Sequence, residues 1–144
     1  MTVDEAPRIA IDAMGGDGGP ATIVAGVALA RQRDPSLRFT LFGDDAALRA
    51  ELRRHSGMAD SDVVHCADVI TGDDKPSQAI RRSKTSSMGA AIQAVKAGEA
   101  AAALSAGNTG ALMAIAKLSL RTMHGIDRPA LAALLPTLGE RDLV

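Results

Sequence analysis

Aromatic side chains are almost absent from this sequence. Its 144 residues include no tryptophan, no tyrosine and only two phenylalanines, Phe39 and Phe42. The core therefore has to consist of alanine, valine, isoleucine, leucine and methionine, which favours close packing of helices on a sheet. The same absence excludes a nucleic-acid surface that stacks bases on aromatic rings.

Cysteine and net charge are also scarce. Cys66 is the only cysteine, which excludes a disulfide within the chain and a zinc site made of several thiolates. The formal net charge of -1 at pH 7 gives no indication of a nucleic-acid partner or an anionic membrane surface. No uncharged apolar run is long enough to span a membrane, and Asp4 and Glu5 do not suit a signal peptide. We therefore expect a cytoplasmic protein without a nucleic-acid partner or a metal site.

The sequence does contain a regular alternation of apolar strands and helices. Apolar runs predict strands over residues 8–14, 37–42, 63–66 and 100–104, and a fifth run covers residues 130–135. Helical spacing predicts helices over residues 20–34, 44–54, 88–98 and 111–120. Strands that are apolar on both faces are typical of a parallel sheet with helices on both sides. We predict a three-layer α/β/α fold with a mostly parallel sheet.

The last of these helices, residues 111–120, is apolar on nearly every side apart from Lys117 and Ser119. Such a helix is usually buried, so we expect it to pack centrally. A contact between subunits is the alternative.

Residues 104–111 form the most informative stretch, because a strand, a turn of small residues and a helix start follow one another there. This order leaves backbone N–H groups unpaired at the positive end of a helix, which suits a phosphate or another anion. Asn108, the only asparagine in the chain, lies in this turn. The alternative is a turn in which Asn108 or Thr109 caps the helix.

Two other loops also follow predicted strands, at residues 14–19 and 70–87. Ligands of open parallel sheets bind beyond the carboxyl ends of the strands, so we expect the three loops to converge on one crevice. The polar loop 70–87 carries cations followed by hydroxyls, namely Lys75, Arg81, Arg82, Lys84, Thr85, Ser86 and Ser87. Cations of this kind suit a phosphate site, and a solvated basic loop is the alternative.

The first loop weakly resembles a dinucleotide-binding fingerprint, with Gly16, Gly18 and Ala21 at the required spacing. Asp17 between the glycines and Asp12 at the strand end would both repel a pyrophosphate. Asp44 could hold a ribose, although its spacing is too long. The alternative is a glycine-rich turn in which Asp17 caps the next helix.

The remaining reactive residues give weaker signals. Cys66 lies in an apolar strand, which favours an inert thiol over a nucleophile. The other aspartates have no supporting ligands at metal spacing, and we interpret Asp44, Asp45, Asp60, Asp62, Asp73 and Asp74 as surface caps.

Four motifs stand in the order in which they occur in the phosphate acyltransferase family. They are IDAMGGD at residues 11–17, KTSSM at 84–88, SAGNTGA at 105–111 and RPA at 128–130. The sequence resembles this family from about Arg8 to its end. The four motifs together are specific, although each alone is not.

The resemblance implies an enzyme that makes acyl-phosphate from acyl-acyl carrier protein and inorganic phosphate in phospholipid synthesis, without a cofactor. It implies an α/β/α fold related to the isocitrate and isopropylmalate dehydrogenases, a homodimer, and loose membrane association through a segment further along. Family chains are considerably longer. We therefore expect residues 1–144 to be the truncated N-terminal part of a single α/β catalytic domain.

Because phosphate is itself the nucleophile, such an enzyme needs a phosphate cradle and donors for the thioester oxygen. We expect Asn108 and the backbone around it to donate, Lys84 to neutralise phosphate, and Asp12 or Asp17 to position or deprotonate it. Arg81 and Arg82 are alternative contacts for the acidic carrier protein. The expected substrate-binding positions are Gly15, Gly16, Asp17, Arg82, Ser86, Ser105, Gly107, Thr109 and Arg128.

Two alternatives from other classes stay open. One is a nicotinamide-dependent dehydrogenase on the related fold, which would bind NAD. The other is a fragment that only binds an anion or the carrier protein and gives no turnover.

Overall fold

The computed structural model describes residues 7–133. Its strands are β1 (Arg8–Asp12), β2 (Arg38–Gly43), β3 (Asp62–His65) and β4 (Ala102–Ser105). They form one four-stranded sheet in the order β3-β2-β1-β4, and every pair is parallel. The predicted parallel sheet is confirmed. β1 lies between β2 and β4, so Ile11 is paired with Leu41 on one side and Leu104 on the other.

Side-chain caps set the starts of three helices, two of them at residues that the sequence offers as caps, Asp44 and Asn108. The helices are α1 (Gly19–Arg33), α2 (Asp45–Leu52), α3 (Pro76–Arg81), α4 (Ser87–Lys96) and α5 (Thr109–Leu120). The side chains of Asp44, Ser86 and Asn108 each accept a hydrogen bond from a backbone N–H in the first turn of α2, α4 and α5. Pro20 lies in the first turn of α1, where its missing N–H costs nothing.

Helices cover both faces of the sheet because successive strand residues point to opposite sides. On one face Ile11 and Leu41 pack with buried residues of α1 and α2, such as Val24 and Leu48. On the other face Ala10 and Phe42 pack against α4. The predicted three-layer α/β/α arrangement is therefore confirmed.

The structure differs from the sequence-based expectations at three places. β1 ends at Asp12 rather than residue 14, because the chain turns there and the Met14 N–H approaches the Asp12 carboxylate at 3.4 Å. α5 is not central: it packs on α3 and α4 through Ala111 and Ile115, while Leu118 is 62% exposed. Residues 130–133 form no strand, and the rest of the fifth apolar run lies outside the described residues.

Between residues 7 and 133, no helix is both long enough and apolar enough to cross a membrane.

Candidate active site

A cavity of about 370 Å³ lies at the carboxyl ends of β1 and β4. Three segments form its wall. The first loop follows β1 and contributes Met14, Gly16 and Asp17. The second loop follows β3 and contributes residues 69–72, and the third loop follows β4 and contributes Ala106, Gly107 and Asn108. The predicted convergence of the three loops is therefore confirmed. A larger cavity of about 510 Å³ lies at the opposite edge, beside the first residues of β1, β2 and β3. We place the candidate site at the first cavity because ligands of parallel sheets bind at the carboxyl edge.

The buried carboxylate of Asp12 connects three segments beneath this cavity. Asp12 is 1% exposed and accepts hydrogen bonds from Ser87 Oγ at 2.6 Å and from Ser105 Oγ at 2.7 Å. These bonds compensate the loss of hydration and join the end of β1 to the start of α4 and the end of β4. Asp12 does not line the cavity. In this geometry Asp12 positions Ser87 and Ser105, and its predicted role toward phosphate stays a prediction.

The glycines after β1 allow the first and third loops to approach closely. A Cβ atom on Gly15 would lie 2.7 Å from Asp12 Oδ2 and 3.0 Å from the Gly107 nitrogen, so a side chain would force the loops apart. Gly16 has a φ of 89°, a conformation that favours glycine. The Gly107 N–H donates to Ser105 Oγ at 3.1 Å, which extends the Asp12 network to the cavity wall.

Asn108 holds the second loop against the third. Its Oδ1 accepts from the Ala111 N–H at 3.0 Å, and this bond caps α5. Its Nδ2 donates to the carbonyl oxygens of Thr71 at 3.2 Å, Gly72 at 3.0 Å and Asp74 at 2.9 Å. The Asn108 side-chain amide is therefore engaged within the protein, and its predicted donation to a substrate oxygen stays a prediction. The backbone N–H groups of Thr109 and Gly110, in the first turn of α5, have no partner within the helix and stay available at its positive end.

An ion pair between Asp74 and Arg82 fixes the other side of the second loop. Arg82 Nη2 lies 2.5 Å from Asp74 Oδ2, and Arg82 Nη1 donates to the Val69 carbonyl oxygen at 3.2 Å. The Thr71 N–H donates to the same Asp74 carboxylate at 2.8 Å. The pKa of Asp74 is lowered, chiefly by this backbone hydrogen bond, with Arg82 adding to the effect. Arg82 thus supports the cavity wall, and its predicted contact with substrate stays a prediction. Asp74 does more than cap a surface turn.

Comparison with known proteins identifies the family. The model of the fatty acid synthesis protein family matches residues 7–144. The chain belongs to this family.

Several relatives carry the name phosphate acyltransferase. Those from Erythrobacter litoralis and Azorhizobium caulinodans are each 58% identical over 139 residues, which is 96% and 95% of this chain. The relative from Rhodospirillum rubrum is 53% identical over 137 residues, or 94% of this chain. The chain spans only 39% of the length of each of these three relatives. The predicted membership of the phosphate acyltransferase family is confirmed.

The residues of the family motifs lie at different places in and around the site. Gly15, Gly16, Ser105 and Gly107 form the two turns at the cavity, and Thr109 is the first residue of α5. Ser86 is buried and caps α4, accepting from the Gly89 N–H at 3.3 Å. Lys84 and Arg128 are exposed, and neither lines the cavity. Their predicted contacts with phosphate stay predictions.

The structure also assigns positions to groups that sequence reasoning missed. The sequence shows Ser87 only as part of a run of hydroxyls, and no neighbouring residue indicates the distant Asp12. The carbonyl oxygens that receive the Asn108 amide have no sequence signal, because every residue carries one. The alternative in which Asn108 caps α5 is confirmed, since its Oδ1 accepts from the Ala111 N–H.

Two alternatives lose support from the geometry. Cys66 is buried, and burial raises the pKa of its thiol, which is the opposite of what activates a nucleophile. Asp44 Oδ1 accepts from the Ala47 N–H at 2.8 Å and is engaged as a helix cap rather than poised for a ribose. Within residues 7–133, no group of three or more histidine, cysteine, aspartate or glutamate side chains could hold a metal ion.

The substitution Asp12→Asn tests the buried network. It keeps the shape but replaces a charged acceptor oxygen by an amide donor, so we expect the free energy of unfolding to fall by about 2 kcal/mol. Asp60→Asn, at an exposed aspartate near the opposite edge, should change it by less than about 0.5 kcal/mol. Urea unfolding measures both values, and equal effects of the two substitutions would contradict the role given to Asp12.

The substitution Asp74→Asn tests the second loop through pH. Since the folded-state pKa of Asp74 is lowered from 3.8, its ionised form stabilises the fold above that value. This stabilisation is lost as the pH falls through the lowered folded-state pKa. We therefore expect Asp74→Asn to flatten the fall in unfolding free energy on the acid side of pH 3.8. Urea unfolding across this range should show the wild-type slope for Asp73→Asn, at the neighbouring exposed residue, and a wild-type slope for both variants would refute the assignment.

Proposed function

We propose that this chain supplies the phosphate-binding part of an acyltransferase. The enzyme transfers an acyl group from acyl-acyl carrier protein to inorganic phosphate and forms acyl-phosphate for phospholipid synthesis. The family match and the relatives named phosphate acyltransferase support the reaction class. The observation that carries the assignment to a site is the cavity where the amino end of α5 meets the glycine turns after β1 and β4.

The reaction needs no nucleophile from the protein. A phosphate oxygen attacks the carbonyl carbon of the thioester, a C–O bond forms, the C–S bond breaks, and the thiolate leaves with the carrier protein. The proton carried by phosphate ends on the leaving sulfur. This agrees with a site in which Ser87 and Ser105 donate their hydroxyl hydrogens to Asp12 and Cys66 is buried.

Backbone dipoles supply the attraction for phosphate in this proposal. The first N–H groups of α5 lie at the positive end of a helix dipole, next to the Gly107 turn. Asn108 keeps this helix end and the second loop in fixed positions, so the donors are arranged before the ligand binds. The same donors stabilise the negative charge that develops on the thioester oxygen.

The exposed cations contribute outside the cavity. Arg81 and Lys84 lie on the surface near the second loop, where they attract phosphate or the acidic carrier protein. The proposal extends to a cytoplasmic homodimer whose loose membrane contact is made by a segment beyond this chain, as the family resemblance implies.

Binding of inorganic phosphate to the chain tests the proposal, with Asn108→Ala as the disruptive variant. Loss of the amide removes the α5 cap and the support of the second loop, so we expect phosphate affinity to fall at least about tenfold. Gln93→Ala is the matched control. The Gln93 amide donates to Ser119 Oγ over 3.0 Å, and neither residue lines the cavity, so this substitution should leave phosphate affinity unchanged. Isothermal titration calorimetry measures the affinities.

Activity is measured with a protein of full family length that carries this sequence. Thiol release from acyl-acyl carrier protein should depend on phosphate and fall with Asn108→Ala. Binding of NAD in place of phosphate would contradict the proposal and favour a dehydrogenase. Phosphate binding without thiol release would reduce the function to anion binding.

A further inference from the structure

Asp17 is an unexpected residue for an anion site. Among the described residues that line the cavity, it is the only one with a charged side chain. Arg82, a cation of the second loop, is engaged with Asp74 and the Val69 carbonyl oxygen. A ligand in this cavity therefore meets Asp17 beside the turn that leads into α5.

The local backbone keeps Asp17 at the cavity. The Gly19 N–H donates to the Gly16 carbonyl oxygen at 3.3 Å, so Asp17 occupies the second position of a tight turn. Gly16, with its φ of 89°, and Gly15, which has no room for a side chain, fix the direction in which this turn leaves β1. The turn thus places Asp17 at the cavity wall.

The carboxylate has no structural task in the described part of the chain. The cap of α1 is Gly18, without a side-chain hydrogen bond, which corrects the prediction that Asp17 caps this helix. The ion pairs and side-chain hydrogen bonds found between residues 7 and 133 do not include Asp17. Asp17 is exposed to solvent, and an ionised carboxylate only accepts hydrogen bonds, so a ligand that replaces water next to it has to offer a donor.

We propose that Asp17 selects a protonated tetrahedral oxoanion by accepting a hydrogen bond from its O–H group. Inorganic phosphate carries a proton at neutral pH, whereas sulfate of the same shape carries none. Sulfate would place its oxygens against the carboxylate without a hydrogen between them, and the repulsion would oppose its binding. The inference rests on the proposed function, since it makes Asp17 the specificity residue of the same phosphate site.

The contact also orients the nucleophile. With its O–H group directed at Asp17, phosphate presents its unprotonated oxygens to the rest of the cavity, where the thioester has to approach. This hydrogen bond therefore explains how an acidic side chain can line an anion site.

Competition between oxoanions tests this inference on the 144-residue chain. Calorimetric titrations with phosphate, arsenate and sulfate give three affinities for each variant. The wild type should bind phosphate and arsenate, both of which carry a proton, at least about tenfold more tightly than sulfate. In Asp17→Asn the amide can donate to any oxoanion, so the ratio of phosphate to sulfate affinity should fall at least about tenfold.

Asp60→Asn is the matched control, because it removes one exposed carboxylate near the opposite edge, and it should keep the wild-type ratio. The use of a ratio within each variant cancels any loss of folded protein, which circular dichroism checks separately. A wild type that binds none of the oxoanions overturns the proposed function and this inference together. Phosphate binding with an unchanged ratio in Asp17→Asn overturns the role of Asp17 alone.

Discussion

The cavity depends on one buried charge, the carboxylate of Asp12. A carboxylate without hydrogen-bond donors would be costly in this interior, so Ser87 and Ser105 have to stay within reach of it. This requirement joins the end of β1 to the start of α4 and to the end of β4. The Ser105 hydroxyl in turn accepts from the Gly107 N–H, which carries the constraint to the cavity wall.

Hydrogen bonds to backbone carbonyl oxygens hold the second loop in place. Asn108 reaches three carbonyl oxygens of the second loop, and Arg82 reaches a fourth at Val69. The cavity wall is thus fixed by side chains whose charge or amide is already satisfied. What is left for a ligand is the positive end of α5 and the carboxylate of Asp17, a pairing that suits an anion with its own proton.

Much of the fold could be predicted from the sequence, because its signals are local. The caps Asp44, Ser86 and Asn108 stand at helix starts, and the apolar runs predict parallel strands whose carboxyl ends gather the loops. The bonds from Ser87 and Ser105 to Asp12, and from the Asn108 amide to the second loop, could not be predicted, because the partners lie at least 34 positions apart in the sequence. Asp12 and Ser87, for example, stand 75 positions apart in the sequence, so no local pattern indicates the hydrogen bond between them. The position of α5 was missed for a related reason: an apolar helix does not reveal which of its faces is covered.

The most direct test of the phosphate site is a titration of the labelled chain with inorganic phosphate, followed residue by residue through its backbone amide NMR signals. The account predicts that the backbone signals of Gly107, Thr109 and Gly110 shift as the site fills, because Gly107 lines the cavity and the other two N–H groups lie at the positive end of α5. The signals of Ser36 and Ser61, at the larger cavity on the opposite edge, should stay in place. Shifts confined to that opposite edge, or no shifts at all, would contradict the assignment.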